Sequence, residues 1–427
     1  MVVGGGLAGL AAGLALAEHG CEVVLCERSR LLGGKATSFR TGGVEVDSGQ
    51  HVHLACCTEY IDFVASTGMR DALWLQERFD AVVLQAGERS ARLRAGRLPA
   101  PLHLAASFAR YAPLDVRAKL DVVRALLAAR RKDEPKRGDE TVAAWLRRHR
   151  QGAAAVRGFW EPFVVPALNA PLDEASASEF LFTMRTAFLG DAGAARFGWS
   201  RVPLARIAEA AAERLRDVRL RAGVSSLLEQ SGAIRGVRLT NGEALAADAV
   251  VLAVPPRRLA AILGEPEEHG IAGLDALRGA PIVDVHLWYP PDALPAWDFA
   301  ALLGSPVQWV FRKDAGYLCC SMSAAGSAVW SPEQELVELC SAELAAAEPS
   351  LRGVRPLHGG AVRDPEATIV STPGTRRPGC ATKNANVVIA GAWTDTGWPP
   401  TMESAVRSGR AAARLLASRV DGLRHAA

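Results

Sequence analysis

Long apolar runs are missing from this sequence. No stretch of about 18 uninterrupted apolar residues occurs beyond the first turn-rich segment, and a helix needs roughly that length to cross a bilayer, so no span is expected. Cysteine is sparse and unpatterned. The eight cysteines, at 21, 26, 56, 57, 319, 320, 340 and 380, include no C-x-x-C. Their two adjacent pairs suit neither a zinc site nor a disulfide framework, and a reducing, cytosolic compartment is expected. Excess charge is also absent: 49 basic and 46 acidic residues leave a formal charge of +3, which gives no case for nucleic acid as the main partner. No secretory leader is expected either. Residues 1–17 are apolar enough to imitate one, but they carry no basic n-region. What is plentiful is apolar: 49% of 427 residues, against 22% charged. That describes a globular chain with a large core, too long for one compact core and suited to two or three domains.

Residues 2–28, VVGGGLAGLAAGLALAEHGCEVVLCER, organise the rest. They predict a short strand, a glycine turn through Gly4, Gly6 and Gly9, a helix over 10–19 and a second strand over 22–26 ending in Glu27 and Arg28. This is a dinucleotide fingerprint. Gly4 permits the turn, Gly6 lets the backbone approach a pyrophosphate, Gly9 packs helix on strand, and the helix N-terminus at Leu7 and Ala8 receives negative charge. Glu27 stands where a carboxylate would hold a ribose hydroxyl. A lone G-x-G-x-x-G also arises by chance or in nicotinamide dehydrogenases; the framing strand, helix, strand and acid favour a nucleotide. The first strand is unusually short, which leaves open that a few residues are missing ahead of Met1 or that the start is misassigned. Gly33, Gly34, Lys35 and Ala36 follow at once, then Gly49, Gln50 and His51. A nicotinamide half-fold would run into a helix here. This segment is instead glycine-rich and extended, with a cation to approach a second phosphate, and it looks like the diphosphate clamp of the large flavoproteins related to glutathione reductase and the amine oxidases. A plain surface loop with a solvated Lys35 is the alternative.

Further along, Cys56 and Cys57 stand at a helix entrance, either as reactive thiols or as small packing residues. Residues 81–97 alternate as a small antiparallel sheet. Residues 99–132 are helical, with Leu120, Val123, Leu126 and Leu127 on one stripe and charges that are almost all basic, which suits either a membrane interface or an ordinary solvated face. Residues 130–138 are a polar linker or loop tip. Thr141 caps another helix. Phe159, Trp160, Phe163, Phe180, Phe182 and Phe188 gather apolar bulk that fits a long greasy pocket nearly as well as a core. A helix from 203, a hairpin across Asn241-Gly242 and a buried strand over 249–254 return to the first domain, with Val224 placed to hold an adenine through backbone groups. Strands over 282–289, 307–312 and 317–322 form a second excursion, and Ser331 to Gln334 is expected to cap the helix after them.

The last signal is a strand over 386–391, a loop rich in Trp, Thr, Gly and Pro, and a closing helix from Thr401 and Met402. Its positive end is free to face an anion, and a reduced flavin concentrates negative charge at its N1 and C2 carbonyl edge.

Taken together, the fingerprint, Gly33 to Ala36, GQHVHLACCTEY (49–60), FWEPFVVPALN (159–169), STPG (371–374) and AGAWTDTGWPPTMESAVRSGRAA (390–412) resemble the hydroxysqualene dehydroxylases, squalene-associated flavoproteins of bacterial hopanoid pathways related to phytoene desaturases and amine oxidases. The resemblance covers nearly the whole chain. It implies an α/β protein in which a glutathione-reductase-like, FAD-binding Rossmann domain (1–80, 201–265, 364–427) is interleaved with an amine-oxidase-like α+β substrate domain (81–200, 266–363). It also implies FAD as cofactor and reductive removal of the hydroxyl of hydroxysqualene, giving squalene and water. The electron donor is not named, and contact with the inner face of the cytoplasmic membrane is left open. One departure stands out: after Ala390-Gly391 the family pattern has an acid thought to hold a ribityl hydroxyl, where this chain has Ala392. Losing such a bond costs roughly 1.5 to 3 kcal/mol of cofactor binding. For the acid that must protonate the leaving hydroxyl, Asp395 is the first candidate, His51 the second and Glu161 the third. Two other readings compete: an oxidative desaturase or amine oxidase on the same scaffold, and a flavin-free lipid escort like the GDP-dissociation inhibitors.

Overall fold

The computed structural model describes residues 1–41, 43–135, 139–230, 232–313 and 316–425, so positions 136–138 of the expected polar loop lie outside the described residues. At its centre is a parallel sheet of five short strands, in the order Asp217–Arg219, Val24–Cys26, Val2–Val3, Val250–Leu252, Val387–Ile389. Its middle strands are runs of Val and Leu buried on both faces, as parallel strands covered by helices require. The helix Leu7–Glu18 lies on this sheet and is apolar nearly all round, with nine of its 12 residues buried. It is enclosed because the closing helix Met402–His425 crosses it closely. A side chain on Gly409 would meet the Ala8 carbonyl at 2.1 Å, so only glycine lets the two backbones approach.

A second, seven-stranded sheet stands beside the first. Its order is His358–Ile369, Gly279–Trp288, Tyr317–Ser323, Trp309–Lys313, Phe299–Leu303, Asp80–Gln85, Ala91–Arg94, antiparallel except where Phe299–Leu303 joins Asp80–Gln85. Sequence periodicity missed the strand Phe299–Leu303. Side chains alternate along each strand: Val283, Val285 and Leu287 pack on Leu336, Cys340 and Leu344 of the helix Glu333–Ala347, so Ile282, Asp284 and His286 face the other way. That helix starts after Pro332 with no side-chain cap. The expected cap at Ser331 does not form, and the Ser331 carbonyl instead accepts a bond from Arg363 at 2.7 Å.

Helices over Val116–Ala129, Val142–Arg148, Glu161–Leu168 and Ala177–Met184 cover one side of this sheet around Trp145, Trp160, Tyr111 and Phe180. In Val116–Ala129 the buried face is made of Ala118, Val122, Ala125 and Ala129. The stripe of Leu120, Val123 and Leu127 points outward, 52%, 41% and 56% exposed; small alanines seat the helix closely and leave its bulk at the surface. Among the described residues no helix is long and apolar enough to cross a membrane.

Candidate active site

The glycine turn at the head of the first helix is dictated by space. A Cβ on Gly9 would lie 1.9 Å from the Gly4 carbonyl, and one on Gly4, at φ +107°, would lie 2.4 Å from the Ala253 carbonyl. Gly6 caps the helix in an extended conformation with no side-chain bond and no acid in the first turn, which leaves the amides of Leu7, Ala8 and Gly9 to the concentrated positive end of the helix. Glu27 is fixed beside them: its two carboxylate oxygens accept the N–H groups of Gly5 and Ser29, each at 2.7 Å. Arg28 is exposed next to it. The second glycine pair docks on the first, Gly33 donating its N–H to the Gly5 carbonyl at 2.8 Å and Gly34 lying against Gly6, with Ala36 buried. Lys35 departs from expectation. Its ammonium turns to Asp364 at 2.8 Å and to the Glu366 carbonyl, so it is engaged by the other sheet rather than held free for a phosphate. Val224 is buried at the start of its strand, its carbonyl accepting from Arg258 at 2.8 Å.

At the other end of the chain the Gly391 N–H donates to Ser408 Oγ at 2.9 Å, and the Ala392 carbonyl accepts from Ser404 at 3.2 Å. The closing helix opens at Met402, just past Thr401. Its first-turn acid, Glu403, is only 1% exposed and accepts the N–H groups of Tyr60 (2.8 Å) and Glu59 (3.2 Å), besides pairing with Arg407. One carboxyl thereby ties the start of the helix Thr58–Ser66 to the start of Met402–His425. Burial pushes its pKa up against these donors.

A cavity of about 540 Å³ opens between the seven-stranded sheet, the helical layer and the segments 48–57 and 398–403. Its wall is mostly apolar, with Phe108, Phe159, Phe163, Phe180, Phe182 and Trp309 among its side chains. Leu102, Val123 and Leu127 lie on the wall and are also strongly exposed, so they mark the mouth. Polar groups collect on wall residues that are buried or half-buried, Gly49, Gln50, His51, Asp284 and Glu403, with Met402 beside them and the exposed Thr401 at their edge.

Of the three candidate acids, the structure brings only His51 to this wall, its Nδ1 bonded to its own Gly49 carbonyl at 2.9 Å. Asp395 is exposed, accepts the Gly397 N–H at 3.0 Å, and lines a separate pocket of about 150 Å³ with Cys380 and Arg407. It serves its own turn and does not reach the cavity. Glu161 is exposed at the head of its helix and off the wall. Cys56 and Cys57 do line the wall. The Cys56 thiol is lowered, first by its hydrogen bond to Cys57, whose own thiol is raised. Of the wall acids that sequence reasoning missed, two stand out. Asp284 is 2% exposed and burial raises its pKa; Glu179 is raised by burial against the pull of Arg377, 3.4 Å away. The signal for Asp284 was present: it is the one acid in the strand GAPIVDVHLW, and an acid inside a buried apolar run needs a reason.

This architecture is shared with known proteins. The description "Flavin containing amine oxidoreductase" matches residues 7–417. The chain belongs to that family. Within it, the chain is 29% identical over 430 residues to the hydroxysqualene dehydroxylase of Rhodopseudomonas palustris, covering 97% of each. It is 25% identical to a 15-cis-phytoene desaturase of Narcissus pseudonarcissus, covering 97% of this chain and 79% of that one. In fold it is similar to the cyclohexylamine oxidase of Brevibacterium oxydans, with a TM-score of 0.71, 18% identity and 98% of each chain covered. The family's members are flavin-containing oxidoreductases, and this chain is one. Its residues fit such a group. The first-turn amides at Leu7 to Gly9 suit a diphosphate, a Cβ on Gly6 would meet nothing nearer than Gly34 Cα at 3.8 Å, and the buried Gln50 Nε2 has no hydrogen-bond partner among the described residues. A flavin ring presents carbonyl acceptors that would satisfy it.

Proposed function

We propose that the chain binds FAD and reductively removes the hydroxyl of hydroxysqualene, releasing squalene and water, as a supplier of hopanoid precursor. The observation that carries this reading is the cavity: a mostly apolar chamber leads from exposed leucines to the few buried polar groups beside Gln50. That form fits a long hydrocarbon bearing one polar group, and full-length likeness to hydroxysqualene dehydroxylases supports the same substrate. Gly4, Gly6 and the amides of Leu7, Ala8 and Gly9 would hold the diphosphate, Glu27 and Arg28 the ribose side, and Val224 the adenine. Gly34, Ala36, Gly49, Gln50 and His51 would line the ring, with Gly391, Ala392, Thr401 and Met402 at its far edge. Reduced and bound there, FAD supplies a hydride. The chain's own part is to exclude water with its aromatic wall, to orient the alcohol and to deliver a proton. The exposed leucine stripe at the mouth, flanked by Arg117, Lys119, Arg124 and Arg130, is read as a face for an anionic bilayer through which the substrate arrives.

The phytoene desaturase likeness favours a second reading, oxidation of a polyene on the same scaffold. The two differ in the direction of electron flow. Protein loaded with FAD and reduced with dithionite is given hydroxysqualene, and squalene is the expected product by gas chromatography and mass spectrometry. If it does not form, and oxidised holoprotein instead introduces double bonds into a polyene, the desaturase reading stands.

A further inference from the structure

We propose that Asp284 is the acid that protonates the departing hydroxyl of the isoprenoid alcohol, an assignment that rests on the dehydroxylase reading above. Asp284 sits at mid-strand in Gly279–Trp288, on the face opposite the core residues Val283 and Val285, and its side chain forms part of the cavity wall together with Ile282 and Ser321. One oxygen, Oδ2, accepts the Gln50 N–H at 3.1 Å. The other, Oδ1, is buried with no hydrogen-bond partner among the described residues; Ser321, opposite it across the ladder, falls short of hydrogen-bond geometry. A buried oxygen left unpaired on the wall of a chamber is a vacancy for a ligand's polar group. His51 stands close by, beside Oδ2: a Cβ on Gly49 would lie 3.2 Å from Asp284 Oδ2 and 3.4 Å from the His51 ring.

The chemistry needs such a group. Hydroxide leaves an allylic carbon poorly, and water leaves well. The carboxyl proton passes to the hydroxyl oxygen, the C–O bond breaks with both electrons going to oxygen, and water departs. The allylic carbon then takes a hydride from the two-electron donor that the reading requires, so alcohol, proton and hydride give hydrocarbon and water. The carboxylate left behind is reprotonated from solvent or through His51. Asp284 can play both parts. At rest, burial raises its pKa and so favours the neutral acid, against the opposing pull of Ser321, the Gln50 N–H, His51 and Lys313. The Gln50 N–H and the nearby His51 and Lys313 hold the anion once the proton has gone. Around it stand Lys313, paired with Asp47 at 3.5 Å, the raised Cys319 thiol on the neighbouring strand, and the Lys35–Asp364 pair. The remaining wall acids are already paired: Glu179 with Arg377 at 3.4 Å, Asp364 with Lys35, and Glu403 with Arg407 and two backbone N–H groups.

The test compares holoenzyme carrying Asp284→Asn or Asp284→Glu with wild type. Asp284→Asn is expected to cut kcat roughly 100-fold or more with KM little changed. Its residual rate should lose the decline with rising pH that wild type shows, and Asp284→Glu should restore part of kcat. Wild type with its aspartates carbon-13 labelled is expected to show an infrared carbonyl band of a protonated carboxylic acid at neutral pH, absent from Asp284→Asn, with or without flavin. An active wild type alongside a fully active Asp284→Asn overturns the proposal and leaves the dehydroxylase reading standing. A variant that merely loses flavin while keeping the wild-type pH profile also overturns it. Should Asp284→Asn fail to fold, the labelled wild type decides alone, and absence of the protonated band sinks the assignment. A wild type that makes no squalene removes the reading and the proposal with it.

Discussion

A single methyl group at Gly9 decides whether the opening turn closes. Its Cβ would stand 1.9 Å from the Gly4 carbonyl, a clash with backbone that no rotamer relieves. Gly9→Ala is therefore expected to lower the free energy of unfolding by about 2 kcal/mol, as overpacking does, and to abolish flavin retention. Urea unfolding and the visible spectrum of the purified protein check both. Gly379→Ala, where nothing lies within 4 Å, should do neither. Ala392 carries the opposite expectation. Restoring the acid of the family pattern with Ala392→Asp should tighten flavin binding about tenfold, the worth of one charge-assisted bond near 1.5 kcal/mol; an unchanged Kd by fluorescence quenching would mean that the ribityl chain is held by other groups. Glycine spacing was readable from sequence because covalent geometry forces it. The acids were not. Asp395 in a loop before a helix looks alike in sequence whether it faces a cavity or, as here, closes its own turn onto Gly397. Asp284 reaches Gln50 across 234 positions of chain, a proximity no local pattern encodes.

The helix Val116–Ala129 shows how periodicity can be right and incomplete. Its leucine stripe was visible in the sequence, but a stripe does not say what covers it. The alanine face went inward, leaving Leu120 and Leu127 more than half exposed beside a cavity whose wall also includes Leu127 and Arg130. With basic residues on the same element, a surface of this kind binds bilayers by burying apolar area and by attraction to anionic lipid. Leu120→Glu combined with Leu127→Glu is expected to reduce co-sedimentation with phosphatidylglycerol-containing vesicles at least tenfold. Thermal stability should change little, since neither side chain is packed in the core. Wild-type binding should also weaken with salt and on neutral vesicles. Equal binding by wild type and variant would leave the stripe as a mere solvated face. The strands of the central sheet were legible for the converse reason: Val and Leu runs bounded by Gly and Pro leave little else to be. Phe299–Leu303 was not legible although it pairs with the nearby Trp309–Lys313, since FAALL is buried along nearly its whole length and shows no apolar–polar alternation.

At the scale of the whole molecule, packing a seven-stranded sheet against a helical layer and the connecting segments around a chamber encloses ionisable groups that water would otherwise hold. His53 and His286, each 3% exposed, are both depressed from 6.5 to about 4, chiefly by burial and then by Arg70 and Lys313 respectively. Between those two values the unfolded chain binds protons on these rings that the folded chain refuses. Their contribution to stability is therefore present above pH 6.5 and is lost as pH falls toward 4. The raised carboxyls Asp284, Glu403 and Glu179 act in the other sense, taking up protons in the folded state first, so their contribution grows as pH falls. A bare pH curve mixes the two, and a difference of differences separates them. His286→Gln removes one depressed ring. Whatever the substitution itself costs at pH 7, the further loss on going to pH 5 should be smaller than in wild type by up to about 2 kcal/mol, the linkage for one such group over that interval. Urea unfolding of both proteins at the two pH values measures it. Parallel losses would mean that His286 titrates normally and that water reaches the strand behind the chamber.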